Sequence, residues 1–342
     1  MGKEAMKEVT EKKYLGQIIQ SDGRNGKNIK DRTDKAVGNV DKIISSLNER
    51  PYGKHAFKAA LLMRQGLMLS GMLSNAETWI NITEADITKL TMPDTMLQRQ
   101  LLSISGNPSK VFMCLELGVI PVRYVIMAKR LNLLHYILNE NTESTINQVF
   151  QVLKCDSRKG DYYYLVNQDM KELEIELNED SIKDQSETKW KSYVKNKIKE
   201  SVFKQLTLKN SLLENTKDVN FEEFKTSKYL LENRSTSLSK IIFSIRSRTF
   251  DIKTWLPWKY FDNLCVVCET KAETMDHFLT CSSYENIAQE LNWKAILENN
   301  TEDQFEIAKI VKKRHQYRKH IIDTYEAGHP QVSSDSGAPG DC

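Results

Sequence analysis

Apolar residues return every three or four positions along most of the chain, the period of an α-helix with one buried face. Ile29, Thr33, Ala36, Val37, Val40, Ile43, Ile44 and Leu47 follow it and predict one strongly amphipathic helix, with Lys27, Lys30, Arg32, Lys35 and Lys42 on the opposite face. The same period predicts helices from about His55 to Leu73 and from Glu84 to about Ile104. Pro121 suits the first position of a helix that ends near Leu138. Between Asn139 and Lys189 the pattern weakens. Glu172, Glu174, Glu176, Glu179 and Asp180 make this stretch acidic, which reads as a solvated surface or linker. Trp190, Tyr193, Val194 and Ile198 restart the stripe, and further helices are expected near Phe221–Leu231, Ser237–Arg248, Tyr284–Leu297 and Glu302–Ile322. Only Lys13–Ile19 reads as a strand, ending at the Asp22-Gly23 turn. The tail from Glu326, rich in Ser, Gly and Pro, reads as disordered. The expected fold class is mainly α.

With 342 residues, 40% hydrophobic and 28% charged, the chain has room for two or three domains and enough apolar surface for a core. The most apolar stretch, Phe57–Leu73, carries Lys58, Arg64 and Gln65 and is too polar for a membrane span. A net charge of +3 is small, so affinity for nucleic acid has to come from local patches. Cys114 and Cys155 read as buried thiols, and six cysteines used this way fit a reducing, intracellular setting, nucleus or cytoplasm.

Cys265-x2-Cys268 is followed by His277-x3-Cys281, four ligands with the spacing of a closed tetrahedral site. Thiolate and imidazole donors in this order favour Zn²⁺, and a complete four-ligand set is structural, because no position remains for water or substrate. Downstream, Lys309, Lys312, Lys313, Arg314, Arg318 and Lys319 alternate with Ile307, Ile310, Val311, Tyr317 and Ile321, a basic amphipathic helix suited to RNA or DNA. Arg246 and Arg248 lead into Phe250, Trp255, Trp258 and Tyr260. Such a mixture either clamps a single strand by charge and stacking or forms a small core over the metal. His135 reads as a core histidine, and His315 and His320 are not needed to complete the ligand set.

Taken in order, the landmarks resemble the C-terminal part of a non-LTR (LINE-like) retrotransposon reverse transcriptase, downstream of its polymerase active site. Tyr14-Leu15-Gly16 with Asp22-Gly23, Asn28–Arg32 through Ala36, Ala76-Glu77-Thr78-Trp79, Leu115-Glu116-Leu117-Gly118, Ile120–Arg123, Arg130–His135, Arg246-Ser247-Arg248, Lys259-Tyr260 and the cysteine cluster carry the likeness, across roughly residues 5 to 285. It implies the end of a palm-like strand and turn (1–26), a thumb-like bundle (27–140), a helical connector (141–235) and a zinc module (236–300). The basic helix (301–325) and tail (326–342) follow. It also implies that Lys27, Lys30, Arg32, Lys35, Arg123, Lys129 and Arg130 grip a primer–template backbone; the plain alternative is solvated helix faces. Reverse transcriptases need an aromatic-x-Asp-Asp turn for two metal ions. No Asp-Asp pair occurs here, and a start at Met1 falls after the turn, so no polymerase activity is expected of this chain alone. Template RNA and target DNA are the expected partners, with Zn²⁺ as cofactor and neither a membrane nor a small-molecule substrate. Two alternatives stand beside this: a remnant that binds protein through its zinc knuckle, and part of a longer active polymerase.

Overall fold

The helical period is realised along most of the described residues. The computed structural model describes residues 9–14, 16–49, 53–103, 106–284, 292–298 and 300–328. They form two compact units, the first from 1–104 with 108–236 and the second from 105–107 with 237–342. Among the described residues, no single helix is long and apolar enough to cross a membrane.

The first unit begins with a hairpin, β1 (Glu11–Tyr14) antiparallel to β2 (Gln17–Gln20), with Tyr14 opposite Gln17. The single strand expected over Lys13–Ile19 is therefore two strands, reversed beside Gly16, whose φ of +80° few other residues adopt. Helix α1 (Gly26–Glu49) buries Ile29, Ala36, Val40 and Ile43, as its pattern predicts, chiefly against α4 (Glu84–Leu102). Between them, α2 (Ala56–Met63) runs through a π-helical stretch, Arg64–Leu69, into α3 (Ser70–Met72). Met68, Leu69, Met72, Leu73, Trp79, Leu90 and Leu97 join α1 in one apolar cluster.

Inside this bundle lies a charge that the sequence reading used only as evidence against a membrane span. Arg64 donates from Nε and Nη2 to both oxygens of Asp94, at 2.5 and 2.8 Å, and from Nη2 to the Ile120 carbonyl at 3.0 Å. Both side chains are nearly inaccessible. Arg64→Ala would strand the carboxylate, and is expected to destabilise the first unit by about 3–5 kcal/mol in denaturant titrations.

Helix α5 (Lys110–Leu117) ends at Gly118, with φ +60°. A Cβ there would lie 2.4 Å from the Thr226 backbone nitrogen, so only glycine lets residues 225–229 cross this closely. That crossing is fixed by Ser227 N–H to the Glu116 carbonyl (2.8 Å) and by Tyr229 O–H to the buried Glu116 carboxylate (2.9 Å). The helix expected over Phe221–Leu231 is consequently short, α11 (Lys228–Glu232).

Helix α6 (Val122–Asn139) is buried on nearly all sides, Arg130 and His135 included, and sits at the centre of the rest. It packs against α7 (Thr145–Cys155), α8 (Tyr162–Glu172), α9 (Glu179–Lys183) and α10 (Glu187–Ser211). The acidic stretch after Asn139 is thus folded, not a linker. Short helices capped by Ser144, Asp161 and Asn178 hold Glu174, Glu176 and Asp180 outward while Phe150, Tyr162, Val166, Ile182 and the carboxylate of Asp169 face in. Trp190 donates to the Leu131 carbonyl at 2.9 Å and stacks on His135, a core histidine as expected. Cys114 is buried, but Cys155 is exposed at the end of α7, because the buried face of that helix runs through Asn147 and Phe150.

The second unit comprises α12 (Thr236–Arg246, all but its first residue), an irregular stretch to Thr274, α13 (Met275–Thr280), a 3-10 turn (Trp293–Leu297) and α14 (Thr301–Gly328). Of the helix expected over Tyr284–Leu297, the 3-10 turn is described; 285–291 and the tail from 329 lie outside the described residues.

Candidate metal centre

Two local structures converge on one point. A tight hairpin is closed by the Leu264–Ala272 bridge, by Cys265 N–H to the Lys271 carbonyl (2.7 Å) and by Glu269 N–H to the Cys265 carbonyl (2.8 Å). It turns through Glu269 at φ +53° and brings Cys265 and Cys268 to the same side. Opposite it, the Thr274 hydroxyl caps α13 by accepting from His277 N–H at 3.1 Å, and Cys281 follows one turn after His277. Ligand atoms of Cys265, Cys268, His277 and Cys281 all lie within 4.8 Å of one another. His277 Nε2 is 3.2 Å from Cys268 Sγ. A tetrahedral ion with bonds of about 2.3 Å to sulfur and 2.0 Å to nitrogen holds its ligand atoms roughly 3.5–3.8 Å apart. The four side chains can therefore hold a metal ion with small adjustments.

The thiols differ before any ion binds. Hydrogen bonds from the Thr270 hydroxyl and backbone pull Cys268 down to about 5, whereas burial pushes Cys265 up to about 11. An ion coordinating both takes them as thiolates and releases protons.

The centre is fastened to α14. Phe278 is fully buried against Phe250 and Tyr284, and Trp293 donates to Asp276 at 2.8 Å. Arg314 donates to the Phe278 carbonyl at 2.8 Å and lies 5.0 Å over the Tyr284 ring. Arg318 forms two parallel hydrogen bonds to Glu273, 2.8 and 2.9 Å, with the two side chains 1% and 0% exposed. Glu273 also accepts from Lys253 N–H at 2.9 Å. Burial alone lowers the Arg318 pKa; the hydrogen bonds and charge of Glu273 outweigh it and raise it. His315 stands edge-on to Phe250, held below its usual range by burial, and is not among the clustered ligands.

Five of the cations expected on nucleic-acid-facing surfaces are buried instead. Arg314 and Arg318 are two of them. Arg246 donates to the carbonyls of Ile296 and Leu297 at 2.8 and 3.1 Å. Arg130 forms a bidentate pair with Asp169, and Arg32 donates to the Gly71 carbonyl at 2.9 Å beside Trp79. The planar guanidinium, with donors in a fixed fork, suits such interior positions, and an interior guanidinium cannot meet a phosphate. Lys27, Lys35, Arg123 and Lys309 are exposed but face Glu11, Asp31, Glu84 and Glu306, and the partly buried Lys129 faces Glu77. Surface pairs of this kind are weak enough for a phosphate to displace. Lys30, Lys313 and Lys319 are exposed, and Lys312 and Arg248 are partly so. No sequence motif marks the buried pairing of Arg64, Asp94 or Glu273.

Comparison with protein-family models, with curated proteins and with solved structures finds no match to this chain.

Proposed function

We propose that this chain binds single-stranded nucleic acid through its second unit, with Zn²⁺ as the structural ion, as the C-terminal region of a non-LTR retrotransposon reverse transcriptase does in the family it resembles. Three sulfurs and one nitrogen in a closed set favour Zn²⁺ over harder cations and leave no catalytic position.

One observation carries the reading. On the loop leading into Cys265, Trp258 is 72% exposed and Phe261 is fully exposed. Water disfavours large aromatic faces, whereas unpaired bases stack on them at about 1–3 kcal/mol each. The core reading of these aromatics fits Phe250 and Trp255, which pack on Phe278 and Trp293. Lys313 and Lys319, exposed on α14, add positive charge within the same unit.

Binding of a labelled single strand across a salt series tests this. Log affinity should fall by about 0.7 per phosphate contacted for each unit of log salt. Trp258→Ala and Phe261→Ala should each weaken binding by about 1–3 kcal/mol. Their thermal stability should not change, because neither side chain is packed. Absence of salt-dependent binding at micromolar protein would reject the reading and favour a protein-binding module.

A further inference from the structure

The first unit holds a cleft of its own. Between α6 and α10 lies a cavity of about 590 Å³, within the ~300–1,000 Å³ range of small-ligand sites. Most of its wall is aliphatic, with Leu61, Val119, Val125, Ala128, Val194 and Ile198 among the side chains that form it. Among the described residues its lining holds three cations and no carboxylate. Two of the cations are engaged, Arg64 by Asp94 and Lys191 by Glu187. The third, Lys195, is exposed and pairs with no carboxylate among the described residues. Of the other polar groups, the Tyr124 hydroxyl donates to Gln205 at 2.7 Å and the Thr226 hydroxyl to the Leu117 carbonyl at 2.8 Å. Asn132 differs: its side-chain oxygen is buried, and no described group donates to it. Protein interiors leave few acceptors in that state, and each asks for a reason.

We propose that this cleft seats one nucleotide, with the base among the aliphatic walls, its pairing edge on the Asn132 amide and its phosphate at Lys195. Each feature narrows the ligand. Aliphatic walls favour an apolar face over a bare inorganic anion or a sugar. An unpaired ammonium in a lining without carboxylates favours negative charge. An aliphatic carboxylate meets both conditions, but its oxygens only accept, so it would leave the Asn132 oxygen without a donor. Every base carries an N–H beside an acceptor on its pairing edge. A half-turn of the planar Asn132 amide exchanges its oxygen with its NH2, so the one side chain can match either order. The cleft is therefore expected to take any of the four bases. An acidic peptide also combines N–H, apolar and anionic groups; the choice of a nucleotide over it rests on the nucleic-acid reading above.

The test uses the full chain with Zn²⁺ and photoreactive 4-thiouridine, offered as the free 5′-monophosphate and at the centre of an oligouridine strand. Irradiation should crosslink it to peptides within 117–132 and 191–198, read by mass spectrometry. Asn132→Leu should weaken capture at this site about fivefold, the effect of one hydrogen bond. Lys195→Met should weaken it about threefold. Lys199→Met, one turn along α10 and outside the lining, should leave it unchanged. Lys195 is exposed, so that variant folds whatever Asn132→Leu does to stability. Capture of the strand alone would identify the ligand as a nucleotide within a chain, and capture of both forms would add the free nucleotide; either supports the assignment. Equal losses in the Lys195 and Lys199 variants would reduce the effect to general attraction and overturn it. Displacement of the label by equimolar decanoate or N-acetyl-leucyl-aspartate would overturn it too. Crosslinks confined to the second unit would overturn this site and leave the nucleic-acid reading intact. No crosslink in either unit would overturn both.

Discussion

With Zn²⁺ bound as proposed, its chelation should abolish protection of residues 255–284 and of the Arg314–Arg318 turn of α14 while leaving the first unit unchanged. The hairpin of Cys265–Ala272 has one bridge and few hydrogen bonds of its own, and α13 is a helix of six residues. An isolated helix shorter than about 12 residues is marginal in water. Both persist by meeting at four ligand atoms and by closing over Phe278 and Tyr284. Structural Zn²⁺ contributes about 10–16 kcal/mol to folding in small metal-dependent modules. That matches or exceeds the ~5–15 kcal/mol stability of a whole domain. Cys281→Ser should behave like the chelated protein at any metal concentration. Hydrogen exchange with mass spectrometry, with and without chelator, resolves the two units. Unchanged exchange across residues 255–284 after verified metal loss would mean that the aromatic core suffices and the ion is dispensable for folding.

The clustering of Cys265, Cys268, His277 and Cys281 was legible because it is local: two short spacings encode a hairpin and a helical turn. Long helices with one apolar face, such as α1 and the Trp190–Ile198 stripe of α10, were legible for the same reason. The stretch after Asn139 was not. Its helices are short, each contributes only a few apolar side chains, and their burial depends on α6, which lies earlier in the chain. The arginines were misjudged because charge was counted without phase. Stepping by three and four from Val311 reaches Arg314 and Arg318, so both fall on the buried face of α14, whereas Lys313 and Lys319 fall outside it. Phase alone would have separated structural from available cations in that helix. For Arg64 and Arg130 phase is insufficient, since their partners Asp94 and Asp169 are 30 and 39 residues away.

The same distinction predicts opposite outcomes for neighbouring residues. Arg318→Ala should destabilise the second unit by about 3–5 kcal/mol, because it leaves Glu273 charged, buried and stripped of two hydrogen bonds. The damage should spread to the metal centre. Glu273 donates its own N–H to the Asn263 carbonyl at 2.7 Å, and its backbone carbonyl accepts from Thr254, so its position sets the base of the hairpin. Metal affinity should therefore fall along with stability. Arg318→Met combined with Glu273→Gln removes both charges at similar volume and should recover much of the loss, since a buried ion pair adds little over a well-packed neutral pair. Lys319→Ala, one residue along, should change stability by less than about 0.5 kcal/mol. Under the proposed function it should instead lower the salt dependence of nucleic-acid binding by the share of one phosphate. Denaturant titration, metal competition and the salt series on these three proteins separate the roles. Equal stability of the Arg318→Ala and Lys319→Ala proteins would show that the buried pair does not hold the metal hairpin to α14. Two cations on one helix thus differ in kind: Arg318 is buried against Glu273, whereas Lys319 is exposed to solvent.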